Sequence, residues 1–191
     1  MRTYKMMIVG DAGSGKTQFV NTNTGLNYTN IYTPTQVRRT QEMNVDELNV
    51  KFEVIDFPGQ ELYRRCNEIE EANIALVFVD LNSILSYKTM KHWIQLIRSK
   101  CNVSTRILVC GSKVDTPGRR KVTEAMLNSI RVPYVTLSSR SSIRFNEPLS
   151  RSIELIDEYE RRIREIRESN HIKVNHLDLC NDIKLCIRRF F

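Results

Sequence analysis

Four short runs along this chain are apolar throughout: MMIV at 6–9, IALVFV at 74–79, ILVC at 107–110 and VPYVTL at 132–137. A strand with one wet face alternates apolar and polar residues, whereas a continuous apolar run is covered on both faces, as in a parallel sheet between two helix layers. The intervening segments carry helical periods: Met90, Trp93, Leu96 and Ile97 mark one stripe, and Leu149, Ile153, Ile156, Tyr159, Ile163 and Ile166 mark a longer one. Leu48, Val50, Phe52 and Val54 alternate with Lys51 and Glu53 as a half-exposed strand does, and residues 37–45 are placed to pair antiparallel beside it at the sheet edge. The order is then β, α, β, β, α, β, α, β, α, β, α. Such an order predicts a three-layer α/β domain that holds its ligand at the carboxyl ends of the strands.

Several classes of function are disfavoured by composition. The five cysteines are scattered without a C-x-x-C pair, and MRTYKMM has neither the apolar stretch nor the cleavage site of a leader, so a reducing compartment is expected. The three histidines are not spaced with cysteines as a zinc ligand set. No run approaches the ~18 apolar residues of a membrane span. The net charge of +7 sits in short clusters, Arg38-Arg39, Arg64-Arg65, Arg119-Arg120-Lys121 and Arg188-Arg189, without interleaved aromatics. A solvated basic surface is expected, not a nucleic-acid site. Length suits one domain plus a tail; a monomer is expected, with the domain over 1–168 and a C-terminal extension over 169–191.

The segment VGDAGSGKT at 9–17 places three glycines, a lysine and a threonine between a predicted strand and a predicted helix. Glycines packed this closely mean that the backbone turns sharply or approaches something closely. Gly10 to Thr17 fits G-x-x-x-x-G-K-[ST], a loop whose backbone N–H groups converge on an anion at a helix N-terminus. Asp11, Ala12, Gly13, Ser14, Gly15, Lys16, Thr17 and Gln18 are the expected phosphate-binding run, with Lys16 reaching the β and γ phosphates and Thr17 giving its hydroxyl to Mg²⁺. Asp56 ends a predicted strand in VIDFPGQE, where its carboxylate can hold the water shell of the same metal. Gly59 offers a bare backbone N–H to a γ-phosphate, and Gln60 is placed to orient an attacking water. In YTNIYTPT, Thr35 is assigned to Mg²⁺ and the γ-phosphate, with Tyr28 and Tyr32 flanking the nucleotide. Lys16, Thr35 and Gln60 form the expected catalytic set, and Thr17, Thr35 and Asp56 the metal set.

Over roughly residues 3–168 the chain resembles the Ras superfamily of small GTPases. The resemblance is nearest to its Ran branch, carried by GDAGSGKTQFV, YKTMKHW at 87–93, CGSKVD at 110–115, RKV at 120–122 and SSRSSIRFNEP at 138–148. The Rab branch is a weaker match. The resemblance implies a six-stranded, mostly parallel sheet with five helices, GTP or GDP and Mg²⁺ as ligands, and a GTP-on, GDP-off cycle driven by GTP hydrolysis, which the departure at Ala12 is expected to slow. It assigns Ser112, Lys113 and Asp115 to the guanine base, with Ser138, Ser139 and Arg140 beside them. It also implies importin-type transport receptors, an exchange factor and a GTPase-activating protein as partners, and a place in cytoplasm and nucleus.

The chain departs from the branch at defined positions. Ser112 stands where the family has asparagine or threonine, and a serine hydroxyl cannot make both contacts of an amide. Weaker nucleotide retention is the expectation. Ala12 replaces a glycine near where Gln60 and an incoming arginine must fit, and QVRR after Thr35 replaces L-G-V-E. These changes also suit a second class, a weakly hydrolysing scaffold that occupies partners. The tail lacks an acidic end, and Cys186, sixth from the end, makes no C-a-a-X site, so no lipid anchor is expected. Leu179, Ile183, Cys186 and Phe190 fall at helical spacing, which predicts a short amphipathic helix docked on its own domain.

Overall fold

The structure is a computed structural model that describes residues 1–26, 39–57, 71–116, 118 and 120–169. Six strands, β1 (Arg2–Gly10), β2 (Arg39–Val45), β3 (Val50–Asp56), β4 (Ile74–Asp80), β5 (Arg106–Ser112) and β6 (Tyr134–Thr136), form one sheet in the order β2-β3-β1-β4-β5-β6. All neighbours are parallel except β2 and β3, whose register runs from Arg39 opposite Asp56 to Val45 opposite Val50. Four α-helices lie among the described residues: α1 (Lys16–Asn23), α2 (Ile84–Lys100), α3 (Glu124–Asn128) and α4 (Glu147–Ser169). The helix expected between β3 and β4 falls on 58–70 and the tail helix beyond 169, both outside the described residues.

The apolar runs do what their continuity requires. Met6 and Ile8 of β1, Ile74, Leu76 and Phe78 of β4, and Leu108 and Cys110 of β5 enter one core layer with Phe19 and Val20 of α1 and Leu149, Ile153 and Ile156 of α4. The alternate residues, Met7, Val9, Ala75, Val77, Val79 and Val109, enter the other with Tyr87, Met90, Trp93 and Ile97 of α2 and Leu127 of α3. Every second side chain therefore changes layer, and each central strand is buried on both faces. On β3, Val50, Phe52 and Val54 are buried while Lys51 and Glu53 are partly wet.

Some boundaries differ from the sequence expectation. Leu48 is not in the strand: it ends a 3₁₀ turn (Asp46–Leu48), is exposed, and is followed by Asn49 at φ 52°, the left-handed residue that closes the β2–β3 hairpin. β6 is shorter than 132–137, because Pro133 has no N–H for the ladder and contributes only its carbonyl, to Val109 N. α4 runs one residue past the expected domain end, and its stripe is buried at Leu149, Ile153 and Ile156 but only half-covered at Tyr159, Ile163 and Ile166.

Gly25 and Gly10 are conformationally required for different reasons. Gly25 (φ 84°) ends α1, with Leu26 N–H donating to Asn21 O and Gly25 N–H to Thr22 O, the paired bonds of a left-handed helix stop; a Cβ there would meet nothing within 4 Å. Gly10 (φ 138°) ends β1 against β4, and a Cβ would stand 2.4 Å from Phe78 O. Gly25→Ala should cost about 1–2 kcal/mol, the left-handed penalty alone. Gly10→Ala adds a backbone clash and should cost at least about 2 kcal/mol more, read as a lower urea midpoint. Equal losses would contradict the close approach of β1 and β4.

Candidate functional site

β1 delivers the chain to Gly10, and the turn to α1 is made by Gly13 (φ 72°) and Gly15 (φ 96°), with Ser14 N–H bonded to Asp11 O at 3.2 Å. Gly15 is the residue before the first helical turn, and no side chain caps that turn. Helix N-terminal amides without a side-chain cap, under a loop bent by left-handed glycines, are the donor set for an anion. The loop matches the sequence expectation over residues 10–17.

Lys16 is buried beneath this loop, and its Nζ donates to Gly10 O at 2.8 Å and Asp11 O at 2.7 Å. Burial pulls its pKa down to about 8, against the opposing pull of the Asp56 and Asp11 carboxylates. An ammonium so poorly solvated gains from any anion brought to the loop. Thr17 Oγ1 donates to Asp56 Oδ2 at 2.8 Å, which joins the start of α1 to the buried end of β3. One hydroxyl and one carboxylate are hard oxygen donors of the kind that would suit Mg²⁺ beside a phosphate. The residues present fit both groups that the sequence implies.

Ser112, which the resemblance assigns to the base, ends β5. Its buried hydroxyl lies 2.7 Å from Ser14 O and 3.1 Å from Val79 O, and with one proton to give it fastens the phosphate loop to the sheet. Lys113 takes a left-handed conformation (φ 65°) and its Nζ pairs with Asp80 Oδ2 at 2.7 Å, which places its head group at the end of β4. Asp115 is half-buried, and its carboxylate has no hydrogen-bond partner among the described residues. The loop after β6 is brought beside it by Leu137 N–H to Gly111 O (2.8 Å) and Val114 N–H to Leu137 O (3.4 Å). There the buried Ser138 Oγ accepts from Arg140 N and Ser141 N, both at 3.2 Å, and bends the backbone at Ser139. Arg140 itself is exposed.

Gln18 bonds to Thr22 along α1 at 3.2 Å, and Ala12 is exposed at the loop tip. Tyr28, Tyr32, Thr35, Gly59 and Gln60 lie outside the described residues. Three partners were not singled out in the sequence as site residues. Asp80 ends an apolar strand; Thr89, partly buried, and Trp93, on the buried stripe of α2, both donate to the Asp11 carboxylate. The W of YKTMKHW was the available signal, but helical spacing alone cannot tell a core indole from one that reaches a loop.

The lowered pKa of Lys16 predicts a pH dependence with a definite sign. A phosphate at the loop stabilises the charged ammonium and raises its pKa, so binding takes up a proton near pH 8. Affinity for GTP should be flat below about pH 7.5 and fall at up to about tenfold per unit above pH 8. Titration calorimetry at pH 8 in buffers of different ionisation enthalpy measures the uptake directly. No uptake, with affinity unchanged to pH 9.5, would contradict the placement of Lys16.

The same three layers, with a glycine loop at the end of β1, a carboxylate at the end of β3 and two converging loops after β5 and β6, define one site at the carboxyl edge of the sheet. A model of the Ras family matches residues 5–158. This chain belongs to the Ras family, whose members are small GTPase switches that bind GTP or GDP with Mg²⁺.

Proposed function

We propose that this protein is a Ran-like switch that binds GTP, hydrolyses it to GDP and phosphate, and serves nucleocytoplasmic transport, passing between cytoplasm and nucleus. The observation that carries the GTPase reading is the pairing of Thr17 with Asp56 under a loop that buries Lys16. In this reading residues 1–168 are the G domain, and the extension docks back on it. The amides of residues 13–17 and Lys16 bind the phosphates. Thr17, Asp56 and Thr35 hold Mg²⁺, which when bound neutralises charge on the β and γ oxygens. Gly59 donates its N–H toward the γ-phosphate, and Gln60 holds the attacking water in line. Asp115 accepts from the guanine N1 and N2 donors, and the Ser139 N–H faces guanine O6.

The Ran assignment is supported by the five sequence segments that resemble that branch. It implies an importin-type receptor that prefers the GTP form, together with an exchange factor and a GTPase-activating protein. The basic cluster of Arg119, Arg120 and Lys121 would meet an acidic receptor surface; within it Arg120 is already engaged, bonding Val122 O at 3.0 Å and lying 3.7 Å from Glu124. A second reading, a weakly hydrolysing scaffold, is favoured by one specific observation: the Ser112 hydroxyl gives its one proton to Ser14 O, so it cannot also donate to a base, and nucleotide would be held more weakly.

Single-turnover hydrolysis separates the two. The wild type should hydrolyse bound GTP, and a Ran-type activating protein should accelerate it by about 10³-fold or more. Gln60→Leu should abolish that acceleration while GTP still binds. Hydrolysis at the same rate in both proteins, with and without the activator, would establish the scaffold reading. Capture by importin-β in the GTP-analogue state but not with GDP supports the branch; capture by a Rab effector alone would overturn it.

A further inference from the structure

Asp11 stands second in the phosphate loop, and a carboxylate there is a negative charge at the rim of a cradle built for anions. Its side chain is held by another element. Oδ2 accepts from Thr89 Oγ1 at 2.5 Å and Oδ1 from Trp93 Nε1 at 3.1 Å. Residues four apart on a helix share a face, so α2 supplies both donors from one side. The Thr89 hydroxyl has one proton and three acceptors within reach, the others being Leu85 O and Ser86 O at 3.1 Å. The carboxylate is both nearest and charged, and it takes the proton.

Trp93 is a firm post. Its ring is buried in the core layer beneath α2, with Met90 and Ile97, so the indole N–H is presented in one place. At the backbone the same Asp11 is gripped by Lys16, whose Nζ donates to its carbonyl. One loop residue is thus fixed by α1 through its main chain and by α2 through its side chain.

We propose that Thr89 and Trp93 are positioning residues for nucleotide binding: they hold the Asp11 carboxylate on α2 and keep its charge from turning into the phosphate cradle. The inference rests on the reading of the loop as a nucleotide site. Without the two donors the carboxylate is released beside the phosphates and repels them. Repulsion grows with ligand charge, so GTP suffers more than GDP, and removing the charge on Asp11 relieves it. A purely structural role for the two residues would weaken both nucleotides alike and would not respond to Asp11.

The test uses the full chain as wild type, Thr89→Ser, Thr89→Val, Trp93→Phe and the Thr89→Val/Trp93→Phe pair, the last three also carrying Asp11→Asn. GTP and GDP affinities are measured by displacement of a fluorescent GDP, with thermal melting to establish folding. The paired variant should lose about tenfold to a hundredfold in GTP affinity, the scale of one or two hydrogen bonds to a charged group. The loss for GDP should be smaller. Asp11→Asn on that background should restore GTP binding to within about threefold of wild type, and Thr89→Ser should retain it. Thr89 is only partly buried, so Thr89→Val alone carries the test if the tryptophan variants fail to fold. Unchanged GTP affinity, or an equal loss for both nucleotides that Asp11→Asn does not relieve, overturns the proposal. A wild type that binds neither nucleotide would instead overturn the nucleotide reading, and this inference with it.

Discussion

A lysine ammonium buried beneath a backbone loop is the constraint on which the rest of this site depends. Taking a cation out of water costs several kcal/mol unless the surroundings replace the lost hydration. Here the replacement is two main-chain carbonyls, Gly10 O and Asp11 O, with the carboxylates of Asp56 and Asp11 adding favourable charge. Those carbonyls face the ammonium only because Gly10, Gly13 and Gly15 take backbone angles that a side chain disfavours. The loop shape and the buried charge therefore support each other, and the residual shortfall in solvation is what an incoming phosphate makes good.

A loop of this kind needs fixed walls, and three elements provide them. From β5, Ser112 clasps Ser14 O; from α2, Thr89 and Trp93 hold the Asp11 side chain; from β3, Asp56 holds Thr17 at the start of α1. Each contact joins residues far apart in sequence, so the loop is shaped by the packed sheet and not by local preference. Preorganisation of this sort lowers the ordering cost of binding a polyanion. The Ser112 hydroxyl, placed where the family has an amide or a threonine, spends its one proton on this loop contact.

The fold was legible in the sequence where the physics is local and periodic. Uninterrupted apolar runs such as IALVFV can only be buried on both faces, and the alternation at Val50, Phe52 and Val54 can only be a strand with one wet face. The phosphate loop was legible because glycine spacing reports backbone geometry directly. Leu48 was misplaced because a turn closed by Asn49 interrupts an alternation that continues on paper. Side-chain commitments were the part that could not be read. Nothing in the spacing of Ser112, Lys113 or Trp93 says whether the polar atom meets a ligand, Asp80 or a loop carbonyl, since the answer lies in contacts 33 to 98 residues away in sequence.

On the proposed function, this edge of the sheet binds a guanine nucleotide, with its phosphates on the glycine loop and its base on Asp115. The most direct measurement is competition of GTP, ATP and XTP for a fluorescent GDP bound to wild type and to Asp115→Asn. In the wild type GTP should compete at least about a hundredfold better than ATP, since two unpaired polar groups are left in the wrong pair. In Asp115→Asn the preference should move from GTP to XTP, because the amide meets the ring's altered edge. Equal competition by GTP and ATP in the wild type, or a preference that Asp115→Asn leaves in place, would contradict the account.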